Sequence, residues 1–119
     1  MTETNTNEKL GLPNDVMKKV IVAFDVDGTL RNNQGEAISA NERIRTLLII
    51  LSSFKNIKIV VWSGSGELYA RQVARAIHVE PYVDCYASKT EWKTLKPDIA
   101  IDDIQDTAIG KINLIVKEK

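Results

Sequence analysis

The chain has 119 residues, of which 44% are hydrophobic and 27% are charged, a balance typical of one soluble globular domain. Sixteen Lys and Arg residues against sixteen Asp and Glu residues give a formal net charge of zero, which argues against a protein that wraps nucleic acid or binds an anionic membrane. A single cysteine, Cys85, excludes an internal disulfide framework, and no apolar run approaches the roughly 18 residues of a membrane-spanning helix. Since the first residues also lack the layout of a secretion signal, we expect a cytoplasmic protein without a membrane partner.

The first part of the chain divides into a tail, a strand and a turn. Residues 1–15 are rich in Thr, Asn and Glu and offer little to bury, so they are predicted to be a flexible tail ahead of a single domain at 16–119. Residues 20–24 are a continuous β-branched and aromatic run, typical of a strand buried on both faces, which ends at Asp25. Residues 31–37 have the composition of a turn or small flap.

A helix is predicted after this flap. Ser39 and Glu42 stand in the spacing of a capping box, which marks a helix start. An apolar stripe follows at three- and four-residue intervals, and it consists of Ile44, Leu47, Leu48 and Leu51. This helix is expected to end within residues 52–55.

The remainder of the chain alternates between strands and helices. Strand-like runs are predicted at residues 57–62, 82–86, 99–101 and 112–116, with a second helix from Glu67 to about Ile77 and a short helix before the last strand. Apolar strands that alternate with helices indicate an α/β fold, here a Rossmann-like open parallel sheet of about five strands with helices on both faces. In such a sheet the chemistry collects at the carboxyl ends of the strands.

Polar residues follow the carboxyl ends of the first four predicted strands. They are Asp25 and Asp27, then Ser63, then Ser88 and Lys89, and finally Asp102 and Asp103. Four carboxylates in one small volume would repel one another and raise each other's pKa values unless a cation lies among them. Oxygen ligands favour a hard ion, and Mg²⁺ typically uses one or two carboxylates with phosphate and water. We therefore expect Mg²⁺ at this edge of the sheet.

Three sequence motifs carry a resemblance to a known family. The run FDVDGTL at residues 24–30 resembles the first motif of the haloacid dehalogenase (HAD) superfamily of phosphatases. Residues 59–63 and 99–103 are similar to the second and fourth motifs, and they occur in the family's order. The resemblance implies a HAD-like fold and a Mg²⁺-dependent phosphomonoester hydrolase that works through an aspartyl phosphate.

The resemblance also implies roles for individual acids. Asp25 is the nucleophile, and Asp27 protonates the leaving oxygen and then activates water, while its backbone carbonyl binds the metal. A second carboxylate two residues from the nucleophile is chemically suited to this proton transfer. Asp103 is favoured as the direct metal ligand and Asp102 as the partner of metal-bound water or of the lysine, with the reverse order open. Asp106 is more typical of a charge that compensates a helix dipole.

The substrate phosphate requires hydrogen-bond donors and a cation. Ser63 and the backbone amide of Gly64 are expected to bind the phosphate, although Ser63 also suits a helix cap. Lys96 begins a strand whose far end is Asp102, and six residues at about 3.3 Å each place it roughly 20 Å away. A lysine stem reaches only about 6 Å, so Lys89 is the expected site lysine, with Lys93 as the second candidate.

The other notable side chains are expected to be structural. His78 is predicted to be a solvated residue at a helix end, Cys85 to pack in a strand and Trp62 to lie in the core. The role of Trp92 is open.

No cap domain is expected over the site, because the segments at 30–38 and 64–88 have no room for one. An open site suits a phosphate at the end of a macromolecule, a polynucleotide end included, or a site that a second copy of the chain closes in a homo-oligomer. The motifs do not specify the class of phosphorylated substrate. Two alternatives are a non-catalytic binding or assembly module with this fold and a receiver-like phosphoacceptor domain. A receiver fits poorly, because it needs an aspartate where the third predicted strand ends.

Overall fold

The computed structural model describes residues 19–33 and 37–117, so the tail expected at residues 1–15 lies outside the described residues. Within these ranges the chain forms five strands and three α-helices. In chain order they are β1 (Val20–Asp25), α1 (Glu42–Ser52), β2 (Ile57–Ser63), α2 (Glu67–Ala76), β3 (Cys85–Ser88), α3 (Trp92–Leu95), β4 (Ile99–Asp102) and β5 (Ile112–Ile115). Short 3-10 turns lie at Glu80–Tyr82, Lys89–Glu91 and Gln105–Thr107. None of the helices in these ranges combines the length and the apolar character needed to cross a membrane.

The strands form one open sheet in the order β3-β2-β1-β4-β5. Every neighbouring pair is parallel, which confirms the predicted α/β architecture and the five-stranded sheet. The chain first builds the sheet outward from β1 to β3 and then returns to the other side of β1 with β4. The carboxyl ends of β1 and β4 therefore flank the point where the strand order reverses, which is where parallel α/β sheets commonly bind ligands.

The two faces of the sheet are covered unequally. On one face, α1 and α2 bury a large core in which Leu48 and Val73 pack with Phe24 and Val61 of the central strands. The opposite face holds a small cluster around Trp62, which is fully buried as predicted, with Leu95 of α3 among its partners. The expectation of helices on both faces is thus met on the second face by a helix of only four residues.

The predicted start of α1 is wrong by a few residues. The helix begins at Glu42 with Asn41 at its N-cap, so Ser39 and Glu42 do not form a capping box. The Ser39 hydroxyl instead accepts a hydrogen bond from Nδ2 of Asn32 at 3.1 Å, which ties the two sides of the flap together. Residues 34–36 of this flap lie outside the described residues.

The third strand also begins later than predicted. It starts at Cys85 rather than at residue 82, because Tyr82 ends the 3-10 turn that Pro81 helps to start. The strand consequently ends at Ser88, whose side chain forms a capping box with Glu91. This shift sets Lys89 directly beyond the carboxyl end of the strand.

Candidate functional site

Three carboxylates meet at the carboxyl edge of the sheet. Asp25 ends β1 and Asp102 ends the neighbouring strand β4, with Asp103 next in the chain. One oxygen atom from each of these residues lies within 4.8 Å of the others. Asp25 and Asp102 are buried, with 6% and 1% of their surfaces exposed, so water does little to screen their charges.

Lys89 is the lysine that the structure brings to these acids. Its Nζ lies 2.7 Å from Oδ1 of Asp25 and 2.6 Å from Oδ2 of Asp102, and only 13% of the Lys89 side chain is exposed. The two other candidates lie elsewhere. Nζ of Lys93 stands over the ring of Trp92, 5.5 Å from its centroid, and Lys96 is exposed at the end of α3.

The two adjacent acids Asp102 and Asp103 have different surroundings. Oδ2 of Asp102 accepts hydrogen bonds from Lys89 and from Oγ1 of Thr107, at 3.1 Å, and its Oδ1 accepts from the backbone N–H of Ile104 at 3.0 Å. Both carboxylate oxygens of Asp102 are therefore engaged by the protein. Asp103 is less buried, which agrees with the expectation that Asp103 contacts the metal and Asp102 holds the lysine. The metal contact itself stays a prediction.

Burial perturbs the ionisation of this cluster. Burial raises the pKa of Asp25 to about 6, and the charge of Asp102 adds to the rise, although hydrogen bonding and attraction to Lys89 act in the opposite direction. Burial likewise raises the pKa of Asp103. Burial by itself would lower the pKa of Lys89, but its bonds to Asp102 and Asp25 outweigh that effect and raise it. The cluster thus holds three carboxylates and one ammonium group, which contacts two of them, and this excess of negative charge suits a bound cation.

The Asp27 carboxylate is not one of the three acids that meet. Its Oδ1 accepts a hydrogen bond of 2.6 Å from the Tyr69 hydroxyl, which itself accepts one of 2.6 Å from Nη1 of Arg31. The structure therefore brings together three of the four acids expected at the strand ends. Burial raises the pKa of Tyr69, with the hydrogen bond to Asp27 adding to the effect, so the hydroxyl stays protonated at neutral pH. Metal binding by the Asp27 carbonyl stays a prediction.

Ser63 ends β2 beside Ser88 of β3 and is buried. Its Oγ accepts a hydrogen bond from the backbone N–H of Ser65 at 2.9 Å, which shapes the turn ahead of α2. The N-cap of α2 is Gly66, so the alternative role of Ser63 as its cap is wrong. Gly64, in the same turn, is exposed. Phosphate binding by these two residues stays a prediction.

Comparison with protein-family models, with curated proteins and with solved structures found no match to this chain. Three residues that hydrogen bond to the acids of the site have no role predicted from the sequence. They are Thr29, whose Oγ1 donates to Oδ2 of Asp25 at 3.0 Å, Tyr69 on Asp27 and Thr107 on Asp102.

Gly28 gives the turn after β1 its shape and makes room for Asp103. Its φ is +81°, and a Cβ built there would lie 2.6 Å from Cγ of Asp103, closer than nonbonded carbon atoms approach. We expect Gly28→Ala to displace Asp103, to lower the free energy of unfolding by about 1–3 kcal/mol and to weaken Mg²⁺ binding. Thermal denaturation with and without Mg²⁺ measures both effects.

Two other glycines provide matched controls for this variant. Gly66 has a φ of +107° but open space around its Cβ position, so Gly66→Ala tests backbone strain without the collision. Gly64→Ala introduces neither backbone strain nor a collision, because Gly64 has no positive φ and nothing lies within 4 Å of the added atom. A Gly28→Ala protein that gains as much stability from Mg²⁺ as the wild type would contradict this account of Asp103.

Proposed function

We propose that this chain is a Mg²⁺-dependent phosphomonoester hydrolase of the HAD superfamily, which acts through an aspartyl phosphate on Asp25. One observation carries the proposal: a buried aspartate at the end of the central strand lies against a lysine and two further acids, at the point where the strand order reverses. These residues belong to the motifs that resemble the HAD family. The strand order is also the one that Rossmann-like sheets use.

The contacts of Asp25 suit a nucleophile, because they fix the orientation of its carboxylate. Its two oxygens are fixed by Lys89 and Thr29, so the carboxylate has one orientation before the substrate arrives. An Asp25 oxygen attacks phosphorus, the ester P–O bond breaks, and Asp27 supplies the proton that the leaving oxygen takes up. Water then attacks phosphorus, the P–O bond to Asp25 breaks, and a proton of the water passes to Asp27. Inorganic phosphate is released, and the Asp25 carboxylate and the protonated Asp27 are restored. Lys89 offsets negative charge on the phosphoryl oxygens throughout.

The residues present fit a magnesium ion. Asp25, Asp102 and Asp103 offer carboxylate oxygens within 4.8 Å of one another, and their combined negative charge exceeds the positive charge of Lys89. Asp25, Asp103 and the backbone carbonyl of Asp27 would hold the ion. Of the two adjacent acids, Asp103 is favoured over Asp102, because Lys89, Thr107 and Ile104 already engage both oxygens of Asp102. When bound, Mg²⁺ supplies positive charge against the attacking carboxylate and the phosphoryl oxygens.

Ser63 and the amide of Gly64 supply neutral donors for the phosphate. Within the described part of the chain the Ser63 hydroxyl accepts a hydrogen bond but donates none, so its proton is available to a ligand. The exposed turn around Gly64 leaves room for a phosphate to approach this proton. The free proton of the Ser63 hydroxyl supports a role in phosphate binding, and the position of Ser63 at a strand end also favours that role.

The substrate is proposed to be a phosphate on a large molecule. The segment between β2 and β3 is taken up by α2 and a 3-10 turn, and the described residues between β1 and α1 form a flap. In the described part of the chain no inserted domain covers the site, so little encloses a small ester. A polynucleotide end or a phosphoprotein could reach such an open site. A second copy of the chain could also close the site over a smaller substrate.

The two alternative functions are less well supported. Receiver-like sheets have the strand order 2-1-3-4-5, which differs from the order β3-β2-β1-β4-β5 seen here. The raised pKa of Asp25, about 6, favours the hydrolase over a non-catalytic module, because perturbed pKa values cluster at reactive sites.

Phosphate release tests the proposal directly. The purified protein is mixed with 4-nitrophenyl phosphate, a nucleoside monophosphate, a sugar phosphate, an end-phosphorylated oligonucleotide and a phosphopeptide, each with Mg²⁺ or with EDTA. We expect release only with Mg²⁺, slow and unselective for small esters, and at least about tenfold higher in kcat/KM for one large substrate. Absence of release from every ester would favour the binding module. Strict selectivity for one small metabolite by a monomer would contradict the open-site argument.

A further inference from the structure

The general acid of the proposed reaction is held by two residues from outside the motifs. The Asp27 side chain is 44% exposed, yet Tyr69 of α2 reaches across to it over 42 positions of the chain. The Tyr69 hydroxyl lies between Asp27 and Arg31, with an oxygen–oxygen distance of 2.6 Å on one side and a nitrogen–oxygen distance of 2.6 Å on the other. These contacts restrict the rotation of a side chain that is partly exposed to solvent.

The direction of each hydrogen bond follows from the chemistry of the three groups. A guanidinium group can only donate, so the Tyr69 oxygen accepts from Arg31. The single hydroxyl proton of Tyr69 is then directed to Oδ1 of Asp27. Nη1 of Arg31 itself lies 3.6 Å from that same oxygen, so both groups engage Oδ1 of Asp27. The two oxygens of Asp27 are therefore not equivalent.

We propose that Tyr69 is a positioning residue for proton transfer, because it holds Oδ1 of Asp27 and leaves Oδ2 to exchange the proton with the substrate. Oδ2 gives its proton to the leaving oxygen and later takes one from water, while Tyr69 keeps its own proton throughout. Arg31 fixes Tyr69 in turn. This inference rests on the proposed function.

Tyr69→Phe removes the hydroxyl and keeps the ring. A positioning role predicts a loss that depends on the leaving group, because an alkoxide requires a proton in order to leave whereas 4-nitrophenolate does not. We expect the first turnover of an alkyl phosphate to slow by about 10–100-fold and that of 4-nitrophenyl phosphate to change by less than about threefold, with KM unchanged. Rapid-quench measurement of the first turnover at saturating Mg²⁺ gives these rates.

Tyr86→Phe is the matched control. Tyr86 is another partly buried tyrosine, and among the described residues its buried hydroxyl has no hydrogen-bond partner. Its loss should change neither first-turnover rate. A melting temperature close to that of the wild type shows that Tyr69→Phe is folded. Should it unfold, Arg31→Met, which removes the group that donates to Tyr69, is expected to show the same dependence on leaving group with a smaller loss.

The outcomes separate this inference from the function on which it rests. An active wild type with a folded Tyr69→Phe protein that slows equally on both esters, or on neither, overturns the positioning role and leaves the hydrolase proposal standing. A wild type that releases phosphate from no ester overturns both. Selective slowing on the alkyl ester alone supports both.

Discussion

Asp25→Asn is expected to abolish phosphate release while the protein stays folded. An amide has no charged oxygen with which to attack phosphorus. Within the described residues, no other carboxylate at the site is bound by both Lys89 and Thr29. The loss should be on the order of 10⁴-fold or more, as for removal of a nucleophile in other enzymes that form covalent intermediates. Phosphate release measured with 4-nitrophenyl phosphate and Mg²⁺ provides the readout.

The same variant has a predictable effect on stability. The pKa of Asp25 is about 6 in the folded protein and 3.8 in its ordinary state, so the folded state binds the proton more tightly. Stability from this group is therefore fully present below about pH 4 and is lost as the pH rises through about 6. Asparagine resembles the protonated side chain. Without metal, Asp25→Asn should thus be more stable than the wild type at pH 7, by about 1–3 kcal/mol, with the gain vanishing near pH 4.

Asp98→Asn is the control for loss of an ordinary structural aspartate. Asp98 precedes β4 at the opposite edge of the sheet, where its Oδ2 accepts a hydrogen bond from the backbone N–H of Ile21 at 2.8 Å. This variant should lose some stability and keep its phosphate release. Turnover by a folded Asp25→Asn protein at a rate near that of the wild type would refute the proposed mechanism.

The parts of the fold that sequence predicts well are those set by continuous apolar runs. β1 and β2 are buried on both faces, so their composition alone distinguishes them from amphipathic helices. β3 is predicted less well, because Tyr82 and Val83 have high strand propensity but follow Pro81, which favours the 3-10 turn found there. Local capping signals are similarly ambiguous, since Asn41 and Ser39 both suit the start of α1.

The site residues that sequence predicts well are likewise those placed by the strands. Strand ends bring Asp25, Asp102 and Lys89 to one edge because the backbone positions them. A simple estimate of side-chain reach excludes Lys96, and the position of Lys89 directly after a strand favours it over Lys93. The direction of the Asp27 side chain depends instead on Tyr69, a residue of a helix surface 42 positions away. No periodicity or spacing encodes such a contact, because it depends on how α2 packs on the finished sheet. Thr107 on Asp102 is another case of this kind.

Lys89→Met should cause the second large loss. Methionine has a similar length but no charge, so Asp25 and Asp102 would face each other without the ammonium group that lies 2.7 Å and 2.6 Å from them. Breaking a buried ion pair on one side typically costs about 3–5 kcal/mol, and without the lysine the pKa of Asp25 should rise further. The carboxylate would then be less ionised, and phosphate release should fall by about 10²–10³-fold. Release assays and metal-free melting curves at pH 7 measure the two losses.

Two other lysines make this prediction specific to position. Lys96→Met and Lys93→Met remove the same charge from exposed residues near α3, and both variants should keep phosphate release within about twofold of the wild type. Mg²⁺ should recover part of the stability lost in Lys89→Met, because a second cation at the acids offsets the same repulsion. If Lys96→Met removed release and Lys89→Met did not, the lysine that serves the phosphate would lie at the wrong end of β4, and the site could not be at the carboxyl edge of the sheet.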